Sequence, residues 1–331
     1  MRPNGRWSCL AVRVVMTCVP LVAGGVTMAG CSGEAKVDPE FETGKSVESL
    51  TIPSGFVLDK CSTTTTCPGV AAGSCCWTGK STSGATGTAV QIFRKPPPTG
   101  GQPDYVVVID LRYASIKSLM GSTSGTCSRT GTKVLIGRKY LSSYWSDALS
   151  LGTGTRTPHA VLNGTFFSAN DCGVVDSREI AFGLKSGSSI VTYGYGAGAS
   201  PCVNKAEFPG QIKTFQWNAS SASITPYSTS TFSSSAWPDV VGVLDATANK
   251  GTSPIPRTFV GIDDGDNETV IFYTSLMAKP SEAQSILASF GAKKNQAMLD
   301  GGGTSGLVVD GTAKVPNCRA MPHAFAIFSG Q

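Results

Sequence analysis

The sequence predicts an α+β domain built on a mixed, largely antiparallel sheet with few helices. Three observations carry that expectation. The run from Tyr105 to Leu111 is continuously apolar and β-branched apart from Asp110, as expected of a strand covered on both faces. Thr258 to Ile262 and Thr269 to Tyr273 read as strands flanking Asp264-Gly265-Asp266-Asn267, a hairpin turn by composition. Helical spacing of apolar residues recurs in only two segments.

In chain order, Ala89 to Phe93 reads as a strand, and Pro96-Pro97-Pro98-Thr99-Gly100-Gly101 as a loop or domain boundary. Leu141, Tyr144, Trp145 and Ala148 predict an amphipathic helix stopped by Gly152, with its aromatic stripe in the core. Ala160-Val161-Leu162 is a strand running into the turn Asn163-Gly164-Thr165-Phe166-Phe167. Ser281 and Gln284 suggest a capping box for a helix carrying Ala283, Ile286, Leu287 and Phe290 and ended by Gly291. A short strand, Ala297-Met298-Leu299, then delivers Asp300 to three glycines.

Upstream, residues 1–30 have a signal-peptide layout: Arg2, Arg6 and Arg13 without an acid, an apolar run from Val14 to Val26, then Met28-Ala29-Gly30 before Cys31. The run of 13 residues is too short to cross ~30 Å of hydrocarbon. Cleavage before Cys31 would leave its thiol to carry a lipid, so the expected product is an exported cell-envelope lipoprotein held to the membrane by that anchor. Ordinary cleavage near Ala29 would give a secreted protein instead. Residues 31–50 read as a flexible tether, and 51–103 as a Cys/Thr/Gly-rich, disulfide-stapled annex and linker. The main domain is expected over 104–331.

Cys9 and Cys18 leave with the signal and Cys31 with the lipid, which leaves eight of the 11 cysteines. Cys61, Cys67, Cys75, Cys76, Cys127, Cys172, Cys202 and Cys318 could therefore all pair outside the cytoplasm. A zinc site fits less well, because the spacing is wrong and His159 and His323 are the only histidines. The precursor's net charge of +5 falls to +2 without the three leader arginines, and no basic cluster remains, which argues against a nucleic-acid partner.

The sharpest local feature is Leu299-Asp300-Gly301-Gly302-Gly303-Thr304-Ser305, a carboxylate at a strand end followed by backbone with no Cβ, which a ligand can approach closely. Taken alone it is more often just a tight turn. Four segments in order resemble the phosphodiester glycosidase family: Leu162 to Phe167, Pro256 to Asp263, Met298 to Ser305, and Arg319 to Phe328. Thr165 and Thr304 stand where that family more often has glycine and serine. The resemblance implies a phosphodiester-glycosidase-like fold. It also implies an enzyme that hydrolyses the anomeric C–O bond of a sugar-1-phosphodiester, its partner being a glycan or glycoconjugate that contains a sugar 1-phosphate.

Such a reaction has a good leaving group, so binding the phosphate charge matters more than protonating it. Arg257 offers a bidentate fork for the phosphate, and the N–H groups of Gly301, Gly302 and Gly303 could add to it. An oxocarbenium-like centre calls for a carboxylate, for which Asp300 is the first choice and Asp263 the second. Asn163, with Gly164 beside it, could hold a sugar hydroxyl or amide; Thr258, Thr304 and Ser305 could contact ligand, and Arg319 could help bind the anion. His323 offers acid or base chemistry but sits in an apolar strand, where a structural role is commoner. No cofactor is demanded, although carboxylates around Asp300 and Asp263 could accept a divalent cation such as calcium. A non-catalytic glycan-binding lipoprotein and a P–O-cleaving phosphodiesterase are the alternatives.

Overall fold

The computed structural model describes residues 52–61, 89–97, 101–125, 134–154, 156–168, 175–195, 208, 210–248 and 252–330. The expected signal, tether and lipidated Cys31 lie outside the described residues. Among those described, no helix is long and apolar enough to cross a membrane.

The largest sheet orders its strands Val57–Cys61, Val90–Lys95, Asp104–Asp110, Thr269–Ala278, Ile255–Ile262, Asn295–Met298, Asp239–Asp245, Ile212–Trp217 and Ala222–Pro226. The strands Leu184–Ser186 and Ser189–Thr192 branch from Asp239–Asp245. A second sheet of five strands runs Thr312–Val315, Leu307–Val309, Thr157–Asn163, His323–Ser329 and Ala114–Met120. Ladders among the described strands are antiparallel throughout, so the expected mixed sheet is corrected to an antiparallel one. The continuous apolar run at Tyr105, which resembles a parallel strand, is antiparallel because it lies between two antiparallel neighbours and has both faces covered.

Period-two alternation divides the second sheet between two cores. Ala160, Leu162, Phe325 and Ile327 face the large sheet, meeting Val107, Val260, Val243 and Phe272. Val161, Ala324, Ala326 and Phe328 face the helix Leu141–Leu151, whose Leu141, Tyr144 and Ala148 are buried as the spacing predicts. Phe215, Trp217, Phe272 and Phe325 cluster between the sheets, with Phe272 and Phe325 rings 5.4 Å apart. Trp217 Nε1 donates to Ile116 O at 2.9 Å, so the indole N–H is satisfied where its ring is buried.

A second helix, Pro280–Ser289, covers the outer face of the large sheet through Ala283, Ile286 and Leu287. The expected capping box is absent. Lys279 is the N-cap, Pro280 supplies the preset first φ, and Gln284 Nε2 donates to Ala246 O instead. Gly291, at φ +111°, ends the helix as expected.

The stretch 51–103 contributes two strands to the large sheet, and the ladder from Val57–Cys61 through Val90–Lys95 to Asp104–Asp110 holds them there. A disulfide-stapled annex is therefore not what the described part of this stretch forms. Cys61 is disulfide-bonded, whereas Cys67, Cys75 and Cys76 lie outside the described residues. Cys318 carries a free, exposed thiol, which corrects the expectation that all eight cysteines pair.

Candidate active site

The site lies where the chain crosses from one sheet to the other. The strand Asn295–Met298 pairs with Ile255–Ile262, Phe259 opposite Met298, and Leu299 N–H extends that ladder to Thr258 O at 2.9 Å. Asp300 then turns away: its N–H donates to Gly164 O, 3.2 Å away at the end of a second-sheet strand. By Leu307 the chain has joined that second sheet. Asp300 is therefore fixed by backbone bonds at the seam.

Asp300 is buried, 4 % exposed. Oδ2 accepts from the Thr304 hydroxyl at 2.6 Å and from Arg319 Nη2 at 3.2 Å. A buried carboxylate is costly unless it is paired, and here a hydroxyl and a guanidinium pair it. Residues Gly302–Thr304 form one 3-10 turn, opened by Gly302 at φ +68°, and that turn brings Thr304 back onto Asp300. Gly303 O accepts both Cys318 N–H and Arg319 N–H, at 2.9 and 2.8 Å, which seats the arginine beside the turn. The Arg319 guanidinium also stands 5.0 Å from the centre of the Phe167 ring. A Cβ on Gly303 would meet Cys318 Sγ at 2.9 Å, so glycine is required by close approach.

Asn163 is fully buried and committed internally. Nδ2 donates to Asp300 O at 2.8 Å, and Oδ1 accepts from the Thr258 hydroxyl at 2.5 Å and from Gly306 N–H at 3.2 Å. Thr258 Oγ1 also lies 3.1 Å from Thr274 Oγ1. Both residues thus brace the seam. Arg257 is buried as well, at 3 % exposed, with Nη1 donating to Met298 Sδ at 3.5 Å. Burial lowers its pKa, yet a guanidinium stays charged, so it places a positive charge beneath the glycine turn. A Cβ on Gly301 would meet Pro256 O at 3.1 Å and Arg257 Cγ at 3.9 Å. Ser305 is buried behind the turn, its N–H on Gly302 O at 3.1 Å.

Asp263 is not part of this cluster. It follows the opposite end of Ile255–Ile262, six residues beyond Arg257 and so ~20 Å along the strand. Its Oδ1 accepts from Gly265 N–H at 2.6 Å, an Asx turn of the hairpin. Asp300 and Asp263 therefore do not share a site for a cation, and among the described residues no group of three or more His, Cys, Asp or Glu gathers that could hold a metal.

Sequence reasoning passed over Glu179, a carboxylate with 0 % exposure. Its carbonyl accepts Ser168 N–H at 2.9 Å, and the bridge between Phe167 and Ile180 holds it beside the segment that leaves Gly164. The apolar Ile180-Ala181-Phe182 that follows Glu179 was the available hint, but its burial depends on the fold. The contact of Phe167 with Arg319 is decided by the fold.

No curated protein matches the chain. Among solved structures, a hypothetical protein from Synechocystis is 15 % identical, with a TM-score of 0.44, covering 73 % of this chain and 62 % of that one. The catalytic domain of zebrafish N-acetylglucosamine-1-phosphodiester alpha-N-acetylglucosaminidase, auto-inhibited by its pro-peptide, is 12 % identical, with a TM-score of 0.45, covering 77 % of this chain and 87 % of that one. The model of the phosphodiester glycosidase family matches residues 159–328, a little over half of the chain and a span that includes Asn163, Arg257, Asp300 and Arg319. The chain belongs to the phosphodiester glycosidase family.

Proposed function

We infer that this protein is an exported hydrolase that cleaves the anomeric C–O bond of a sugar-1-phosphodiester, releasing free sugar and a phosphate monoester. The observation that carries this reading is the buried Asp300 carboxylate, held at the sheet seam with Thr304 and Arg319 on one oxygen. As the C–O bond breaks, its electron pair stays on the phosphate oxygen, and positive charge develops at the anomeric carbon. A fixed carboxylate stabilises that charge or takes the proton of the attacking water. The Arg319 side chain is half-buried, and the accessible edge of its guanidinium is assigned to a phosphate oxygen. Arg257 adds a buried positive charge below the same turn. Export rests on the leader-like residues 1–30 and is read out by the mass of the mature N-terminus at Cys31.

The test is turnover of a panel of sugar-1-phosphodiesters by the purified mature protein in oxygen-18 water, with and without chelator. Label in the sugar is the expected result. Label in the phosphate would mean P–O cleavage, and binding without product would mean a glycan-binding module; either outcome overturns the reading.

A further inference from the structure

His323 is the first residue of the strand His323–Ser329, in the second sheet beside Asn163, and it is fully buried. Its two ends grip the same turn. The backbone carbonyl accepts Gly164 N–H at 3.1 Å, and ring Nδ1 accepts Thr165 N–H at 3.2 Å. Because Nδ1 accepts, the proton resides on Nε2, and the ring is a neutral imidazole of one tautomer. Nε2 has no hydrogen-bond partner among the described residues. The ring lies so close to Gly164 that a Cβ there would overlap Nδ1. On its other side it meets Phe325 edge to face, 4.9 Å between centres. Gly164 in turn presents its carbonyl to the N–H of Asp300.

We propose that His323 is a positioning residue: its Nδ1 fixes the Gly164–Thr165 turn, and through the Gly164 carbonyl that turn sets the backbone of Asp300. It touches no substrate and transfers no proton. Desolvation, which pulls its pKa down to about 3, keeps Nδ1 available as an acceptor near neutral pH. A simpler core histidine would need neither the contact with Thr165 N–H nor a glycine beside it. The effect on catalysis rests on the reading of Asp300 as the reacting carboxylate; the effect on the Asp300 backbone does not.

Three substitutions separate the acceptor from the bulk. His323→Asn keeps an oxygen near the Nδ1 position, His323→Gln moves it outward, and His323→Phe keeps a ring without an acceptor. In His323→Asn, hydrogen exchange at the amides of Thr165 and Asp300 should stay near wild type, and kcat should follow. In His323→Phe and His323→Gln, both amides should exchange faster, and kcat should fall about 10- to 100-fold with KM unchanged, the cost of a small misplacement of a reacting group. Unchanged exchange at Asp300 in His323→Phe, or equal losses in all three variants that track their melting temperatures, would overturn the proposal. Should the wild type turn over no sugar-1-phosphodiester while the exchange pattern holds, the functional reading fails and the positioning role stands.

Discussion

Two acidic residues flank the strand Ile255–Ile262, and the molecule treats them in opposite ways. At the Arg257 end, Asp300 is buried, and its oxygen is met by a hydroxyl and a guanidinium from different parts of the chain. At the other end, Asp263 turns back on its own hairpin and caps Gly265, while Asp264 accepts the amides of Lys293 and Lys294 and Asp266 those of Glu268 and Thr269. Oxygens used on nearby backbone stiffen a turn in solvent, where each bond contributes little. Oxygens held by distant side chains inside a seam form a charged group whose environment the fold controls. The acidic turn had the more conspicuous sequence, with three aspartates in four residues. The lone Asp300 is the one that the fold buries and pairs with a hydroxyl and a guanidinium.

This contrast is open to direct attack. Asp300→Asn should lower turnover of a sugar-1-phosphodiester by ~10² or more while the protein stays folded, and Asp263→Asn should leave it within about twofold. Near wild-type kcat in folded Asp300→Asn would collapse the distinction. Asn163→Ala should remove three buried hydrogen bonds, to the Thr258 hydroxyl, Gly306 N–H and Asp300 carbonyl, and leave Gly306 N–H unsatisfied at about 1–3 kcal/mol, read as a lower urea midpoint. Asp263→Ala at the exposed end should shift that midpoint by only about 0.5 kcal/mol.

Arg319→Lys retains the charge but not the planar fork, and should lower kcat/KM by about tenfold, the value of one charge-assisted hydrogen bond. An uncharged aryl glycoside, if accepted, should lose less, because no phosphate is bound. Loss of equal size on both substrates would assign Arg319 to Asp300 alone.

Stability should also depend on pH through both histidines. Burial lowers the pKa of His159 to about 4 and that of His323 to about 3, below the unfolded value of ~6.5. The unfolded chain therefore binds more protons in this window, and the stability present above pH ~6.5 should be lost as the pH falls from there toward 3. A urea midpoint that is flat between pH 7 and 5 would contradict the burial of both rings. Smallest of all, Cys318 should react with a maleimide in the native protein whereas Cys61 should not, as peptide mass mapping would show.

Much of the fold was legible because its signals are local. Alternation marked Ala160 to Leu162, helical spacing marked Leu141 to Ala148, and the glycines after Asp300 announced backbone without side chains. The family resemblance was legible too, since it depends on ordered short segments. Three features were not: the partners of Asn163, the burial of Glu179, and the separation of Asp263 from Asp300. Each depends on which strands become neighbours.

The sequence by itself determined several strands, among them those at Tyr105, Leu162, Phe259 and Tyr273, the two main helices and the glycine turn, because each follows from residue type and spacing within a few positions. Only the tertiary structure decided that Asn163 and Thr258 brace the seam, that Arg319 reaches Asp300, and that His323 lies against Gly164. The physical reason is that hydrogen bonds between residues such as Asn163 and Asp300, 137 positions apart, exist only once two sheets meet at one seam, and no local pattern encodes that meeting.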